Sequence, residues 1–350
     1  MSFYNDKVSV ITDSQENIHI ITLKEGKILS YYFENGKIIM EERKLVDDAL
    51  MEFDVCIDHK DCIHLIYQNE KYNLYLIKIQ GNKIEKTLIT EGPIPIIYNL
   101  NILVIDNALH IFYCILLDNK EGIYRMYHHY LEDDNWYTNI IDDIKISTVL
   151  NPINLIYDKG MIIVGYYDCI HSDEIFAKAF DVNEKKWTEK IQLTTSFSSK
   201  LYIDLLLVDR KLHLSYCEYY DGNLVVKYER FSFLDNGMIK DMEGGISNLD
   251  NCSYPTFVYF GDKIWLVWLQ HEKVMSRYSL DNGENWSPVY LWQGTKNIEI
   301  LRYKYLYSSK LKNIKLNFSF GKVYPDISFI GFGPLKNVVE VPLKKYQIKD

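Results

Sequence analysis

An apolar triplet that follows a polar turn recurs along the chain at a nearly constant interval. No other feature limits the possible folds as much. The copies are Ile18-His19-Ile20, Ile63-His64-Leu65, Leu109-His110-Ile111, Ile162-Ile163-Val164, Leu212-His213-Leu214, Ile264-Trp265-Leu266 and Ile314-Lys315-Leu316. Their start positions advance by 45, 46, 53, 50, 52 and 50 residues. A period of this size marks supersecondary units that cannot bury their apolar faces alone and must stack.

Each copy has the same internal order. A first strand ends at a turn marked by Asp13, Asp58, Asp106, Asp158-Lys159-Gly160, Asp209 or Gly261-Asp262. The triplet then opens a second strand, a polar loop follows, and a third strand is rich in Tyr and Phe. A tight turn leads into a fourth strand. Those turns are Glu34-Asn35-Gly36, Gln80-Gly81-Asn82, Glu132 to Asn135, Asp181 to Lys186, Asp235-Asn236-Gly237 and Asp281-Asn282-Gly283. Asn-Gly between strands is a hairpin signal because both residues tolerate positive φ. Composition agrees: 29 tyrosines stand against four alanines (Ala49, Ala108, Ala177 and Ala179), which favours strands over helices. The spacing predicts a seven-bladed, all-β propeller of four-stranded antiparallel blades, one domain over residues 1–350. The seventh copy is the weakest, with strands expected at 300–308, 313–320, 326–332 and 337–343. The alternative is a six-bladed propeller with a C-terminal extension.

The turn of the sixth copy reads Ser279-Leu280-Asp281-Asn282-Gly283-Glu284-Asn285-Trp286. It matches the pattern Ser/Thr-x-Asp-x-Gly-x-x-Trp, known as the Asp-box. Trp136 and Trp187 follow the matching turns of the third and fourth copies. The chain thus resembles the sialidase-like Asp-box propellers, which include glycosidases and lectin-like modules. The resemblance implies that Ser279, Asp281, Gly283 and Trp286 brace a hairpin, Asp capping backbone N–H groups and Trp packing into the blade. It also implies a test for sialidase activity, which uses three arginines on the substrate carboxylate, a Tyr–Glu nucleophile pair and an Asp acid/base. The first arginine belongs to a Phe/Tyr-Arg-Ile-Pro motif. The nearest text is Gly92-Pro93-Ile94-Pro95, without arginine. Of Arg43, Arg125, Arg210, Arg230, Arg277 and Arg302, only Arg302 sits on an inner strand. One arginine cannot form a three-armed clamp, so sialidase activity is not expected.

His19, His64, His110 and His213 occupy one position in four copies. Residues so repeated sit on different blades and serve packing rather than one metal ion. No metal and no cofactor is expected. The six cysteines, Cys56, Cys62, Cys114, Cys169, Cys217 and Cys252, form no CxxC pair and read as free apolar thiols.

The loops opposite the hairpin turns carry the candidate ligand residues: Asp168, His171 and Asp173; Glu218, Tyr220 and Asp221; and His271, with Arg302 on an inner strand. Carboxylates accept sugar hydroxyl protons and aromatic faces cover the apolar side of a sugar ring. The function expected is a non-enzymatic binding module for a glycan or another small polar ligand. The alternatives are a glycoside hydrolase or lyase using paired carboxylates such as Asp168, Glu218 or Asp221, and a scaffold for a protein partner. The formal charge of −9 without a basic run argues against nucleic acid. No apolar stretch is long enough to predict a membrane span. The polar N-terminus, with no visible signal peptide, sets the expected location as the cytoplasm. A closed ring leaves few sheet edges to pair and so predicts a monomer.

Overall fold

A computed structural model describes residues 7–35, 40–147, 150–234, 237–295, 300–308, 314–323 and 327–344. The turn residues Gly36 and Asp235-Asn236 lie outside them. The described residues fall into two compact units, drawn from Met1–Lys145 with Leu301–Lys312 and from Ile146–Ile300 with Asn313–Asp350.

Unit 1 holds three blades. Blade 1 is β1 (Val8–Thr12), β2 (Ile18–Lys24), β3 (Lys27–Phe33) and β4 (Met40–Val46). Blade 2 is β5 (Ala49–Ile57), β6 (Ile63–Asn69), β7 (Leu74–Gln80) and β8 (Lys83–Leu88). Blade 3 is β9 (Ile97–Ile105), β10 (Ala108–Asp118), β11 (Ile123–Glu132) and β12 (Asn135–Lys145). Unit 2 holds three more. In blade 4, β13 (Asn154–Asp158), β14 (Met161–Cys169) and β15 (Asp173–Asp181) are followed by a fourth strand broken into β16 (Lys186–Trp187) and β17 (Ile191–Gln192). Blade 5 is β18 (Lys200–Val208), β19 (Lys211–Tyr220), β20 (Asn223–Leu234) and β21 (Gly237–Gly245). Blade 6 is β22 (Cys252–Phe260), β23 (Lys263–Gln270), β24 (Lys273–Ser279) and β25 (Val289–Trp292).

Consecutive strands of each blade pair antiparallel. The first six apolar triplets lie on the second strands, most of which are buried on both faces; β6 has no exposed position, whereas β2 is largely half-buried. A strand covered on both sides reads as a continuous apolar run instead of an alternation. Most fourth strands are wet, and β8, Lys-Ile-Glu-Lys-Thr-Leu, has no buried residue; β25 of blade 6 is the buried exception.

The fold is all-β, of the propeller type, with six blades and not the seven expected. Among the described residues the seventh copy forms no sheet of its own. Its strands are β26 (Leu301–Tyr307), β27 (Ile314–Lys315), β28 (Phe318–Gly321) and β29 (Val338–Val341). In unit 1, β26 adds to blade 1 in parallel with β1, Val10 opposite Tyr305. In unit 2, β27 extends the free edge of β22 and β29 the free edge of β25. Two- and four-residue strands broken by glycine and proline cannot sustain a four-stranded ladder, but they can cover edges that would otherwise be open. Gly331 is what lets the segment lie close against blade 6. Its φ is +111°, and a Cβ there would lie 2.3 Å from Val267.

Neighbouring blades inside a unit are stapled by buried acids on first strands. Asp54 accepts the N–H of Ile102 at 2.9 Å, and Asp204 accepts the N–H of Phe257 at 2.7 Å and the amide of Asn154 at 2.8 Å. In unit 1 the ammonium of Lys304 on β26 sits 2.7 Å from Asp54. Bulges fall at equivalent places on these strands, with Asn99, Tyr202 and Tyr254 at φ of 55°, 60° and 51°. Each repeated histidine meets a partner in its own blade, and His213 also packs edge-on to Phe257 of blade 6. His110 meets His128 at 3.0 Å, His213 meets the Tyr228 hydroxyl at 2.8 Å, and His64 meets Asp58 at 3.0 Å. His19 lies 3.9 Å from Asp13. All six cysteines are free thiols. Among the described residues no helix is long and apolar enough to cross a membrane.

Candidate functional site

At the hairpin end of blade 6, the Ser279–Trp286 turn is held by its own side chains. Asp281 Oδ1 accepts the N–H of Asn285 at 2.8 Å and its Oδ2 accepts the Asn285 amide at 2.7 Å. These bonds hold the Asp281 carboxyl down at about 2. Ser279 Oγ accepts the N–H of Gly283 at 2.8 Å. Gly283 has φ +86°, and a Cβ there would fall 1.8 Å from the Tyr228 hydroxyl of blade 5. Trp286 packs edge-on to Tyr228 at 5.0 Å, against the core shared by blades 5 and 6. Two arginines close the turn. Arg230 donates to the carbonyl of Asn282 at 2.7 Å, and Arg277 to those of Ser287 at 2.6 Å and Trp286 at 3.1 Å.

The opposite end of blades 4 and 5 is built on buried charge. Glu174, at the start of β15, meets Lys200, at the start of β18, at 2.8 Å, with side chains 2% and 0% exposed. Its oxygens also accept Thr194 Oγ1 at 2.6 Å, Ser172 Oγ at 3.1 Å and the N–H of Phe197 at 2.9 Å. Burial pushes this carboxyl up. The hydrogen bonds from Lys200 and Thr194 and the Lys200 charge outweigh burial and leave it below its ordinary value. Lys200 donates as well to the carbonyl of Ser198 at 2.8 Å. The 193–199 connection is thus tied at three points to one ion pair.

The anchored connection carries Phe197, which is 70% exposed at a φ of 57°. A bulky residue pays strain there, and the Glu174 bond holds it in that conformation. The His171 ring lies 5.9 Å away at 45°. Ile170 and Tyr219, on the adjoining loop and strand end, are also exposed.

The residues expected at a site are distributed as follows. Asp168 pairs with Lys190 at 2.5 Å. Asp173 is buried and accepts the N–H and hydroxyl of Ser147 at 3.1 and 2.7 Å. Glu218 is buried, accepts the Ser196 hydroxyl, and lies 3.3 Å from Lys227. The 193–199 connection touches His171 through Phe197 and Glu218 through Ser196, whereas Asp173 is turned to Ser147. Tyr220 ends β19, and Asp221 is exposed in the following turn at φ 45°. His271 is exposed on blade 6 and pairs with Asp250 at 2.5 Å. Arg302 lies on β26 in unit 1, whereas the others belong to unit 2. Glu174 closes the acidic stretch 168–174 but is not singled out by the sequence, and Lys200 and Phe197 are not marked at all. Their signal is weak: an acid and a lysine at the starts of two strands, and an aromatic in a polar connection.

A second cluster was also missed. Asp58, Cys62 and His64, at the β5–β6 turn of blade 2, place three ligand-type atoms within 4.8 Å of one another. The grouping arises inside one turn, whereas the repeated histidines lie on different blades.

No family model matches the chain, and no curated protein does. Among solved structures the chain is similar to the fucose-specific lectin of Aleuria aurantia. The identity is 11% and the TM-score 0.49, over 82% of this chain and 95% of that one. It is similar to AofleA of Arthrobotrys oligospora at 10% identity and TM-score 0.44, over 69% and 74%. A thermostable family-43 glycoside hydrolase aligns at 11% and TM-score 0.39, over 68% and 92%. Likeness at these values assigns no ligand, activity or site.

Proposed function

We propose that the chain is a non-enzymatic binding module that takes a glycan or another small polar ligand at the loop end of blades 4 and 5. The observation that carries this reading is Phe197. An aromatic ring left in water, on a backbone held in a costly conformation by a buried ion pair, is pre-organised for a partner. An exposed ring stacks on the apolar face of a sugar, and His171 beside it offers a polar edge. The acids nearby favour binding over catalysis. Asp168 and Glu218 are each engaged by a lysine, and Glu174 is held ionised by its partners. A general acid needs a carboxyl raised toward working pH.

The test is a glycan array that includes α-fucosides, followed by titration of hits against the wild type and Phe197→Ala. Support is a saturable hit whose affinity falls about tenfold or more in F197A, a loss of about 1.4 kcal/mol. An array with no hit, or equal affinity in the two proteins, sinks the reading. Turnover of a glycoside would move it to the hydrolase alternative.

A further inference from the structure

We infer that the β5–β6 turn of blade 2 is a site for a divalent transition metal of the zinc and cobalt class, with Asp58, Cys62 and His64 as ligands. Carboxylate, thiolate and imidazole are the donors such ions take, with bonds of about 2.0–2.3 Å. A tetrahedral ion sets donor atoms roughly 3.3–3.8 Å apart by that geometry. The three donors already lie within 4.8 Å of one another, so side-chain adjustments within one turn complete the set.

The turn leaves the required atoms facing one another. Asp58 Oδ1 is engaged by the N–H groups of Lys60 at 2.8 Å and Cys62 at 3.0 Å. The Asp58 N–H donates to the Cys62 carbonyl at 3.0 Å, closing the loop. This directs Oδ2 to His64 Nε2, 3.0 Å away. The Cys62 thiol makes only weak backbone contacts, to the Ile63 carbonyl at 4.0 Å and to the backbone of Ile79. Asp58 and Cys62 are half-buried and His64 is buried, so an ion enters from the solvent side and keeps a fourth position there. On binding, Cys62 releases its thiol proton to water. His64 coordinates through Nε2 as the tautomer protonated on Nδ1. One thiolate and one carboxylate then balance the charge of the ion.

Blade 1 supplies an internal control. Its turn has the same spacing, Asp13, Asn17 and His19, with asparagine in place of Cys62. Asp13 Oδ1 accepts the N–H groups of Gln15 and Asn17, both at 2.9 Å. Asp13 Oδ2, however, is taken by the Asn17 amide at 2.9 Å, and His19 stands off at 3.9 Å. The same backbone without the thiol is a hydrogen-bonded cap.

The experiment uses the full chain, stripped with chelator and titrated with Co²⁺. The expected result is one cobalt per chain, with a thiolate-to-cobalt charge-transfer band and intense tetrahedral visible bands. Cys62→Asn copies the turn of blade 1 and so keeps the fold. It should lose the charge-transfer band, although Cys56, Cys114, Cys169, Cys217 and Cys252 remain. His64→Gln should weaken cobalt binding at least ~10-fold. Weak oxygen-only cobalt bands, or a thiolate band that survives in C62N, overturn the inference.

Discussion

At the hairpin end of blades 5 and 6, polar side chains are engaged by the backbone of the turn they brace. Asp281 caps Asn285, Ser279 accepts from Gly283, and Arg230 and Arg277 donate to carbonyls. At the loop end of blades 4 and 5, a buried ion pair holds an exposed aromatic in an unfavourable φ. The first arrangement gains only stability. The second holds a strained, water-exposed ring, which stability alone does not account for. The difference is the ground on which the ligand is proposed at the loop end.

The largest way to break the comparison is Lys200→Met. It leaves the Glu174 carboxylate buried without its cation, which costs about 3–5 kcal/mol. It should also release the 193–199 connection. Chemical denaturation gives the first effect and loss of hydrogen-exchange protection around Phe197 the second. A small cost would mean that the loop end does not depend on this pair.

Gly283→Ala should cost about 3 kcal/mol, from the positive φ and from the overlap with Tyr228. The damage should stay at the hairpin end, so ligand affinity measured below the unfolding transition is unchanged. A parallel fall in affinity would show that the two ends are coupled.

Acid separates the ends next. Burial, and then the Arg230 charge, push His213 down to about 3. A folded value below the unfolded one gives stability that is full above about 6.5 and is lost as pH falls from there toward 3. Between pH 6.5 and 5.5 the loss is about 1 kcal/mol, and it falls on the hairpin end through the His213–Tyr228 bond. Glu174 is also depressed, so its contribution persists above the ordinary carboxylate value and fades only as pH drops below it. A shallower pH slope in His213→Gln checks the assignment; an unchanged slope refutes it.

The smallest effect on stability is expected from Phe197→Ala, within about 0.5 kcal/mol.

Much of the fold was legible because it is written as a repeat. The triplets mark the doubly buried second strands, and Asn-Gly or Asp turns mark the hairpins. The seventh triplet misled because Ile314-Lys315-Leu316 has the spacing of a blade without four strands long enough to pair. Its two-residue strand instead extends β22. The loop end of blades 4 and 5 was half legible. Asp168, Asp173 and Glu218 stand out as acids in loops, but which acid organises the connection depends on burial. Glu174 and Lys200 are adjacent only because β15 and β18 begin side by side. The metal-type cluster was readable in principle from the spacing of Asp58, Cys62 and His64. The repeat hides it: His64 reads as one of four equivalent packing histidines, and its two other donors are local to the β5–β6 turn.

The most direct measurement titrates one glycan, chosen from the array, into the wild type, Phe197→Ala and Asp281→Ala under conditions where all three are folded. The expected result is an affinity about tenfold weaker or worse in F197A and unchanged in D281A. Equal loss in both variants, or none in F197A, would contradict the assignment of the loop end as the ligand end.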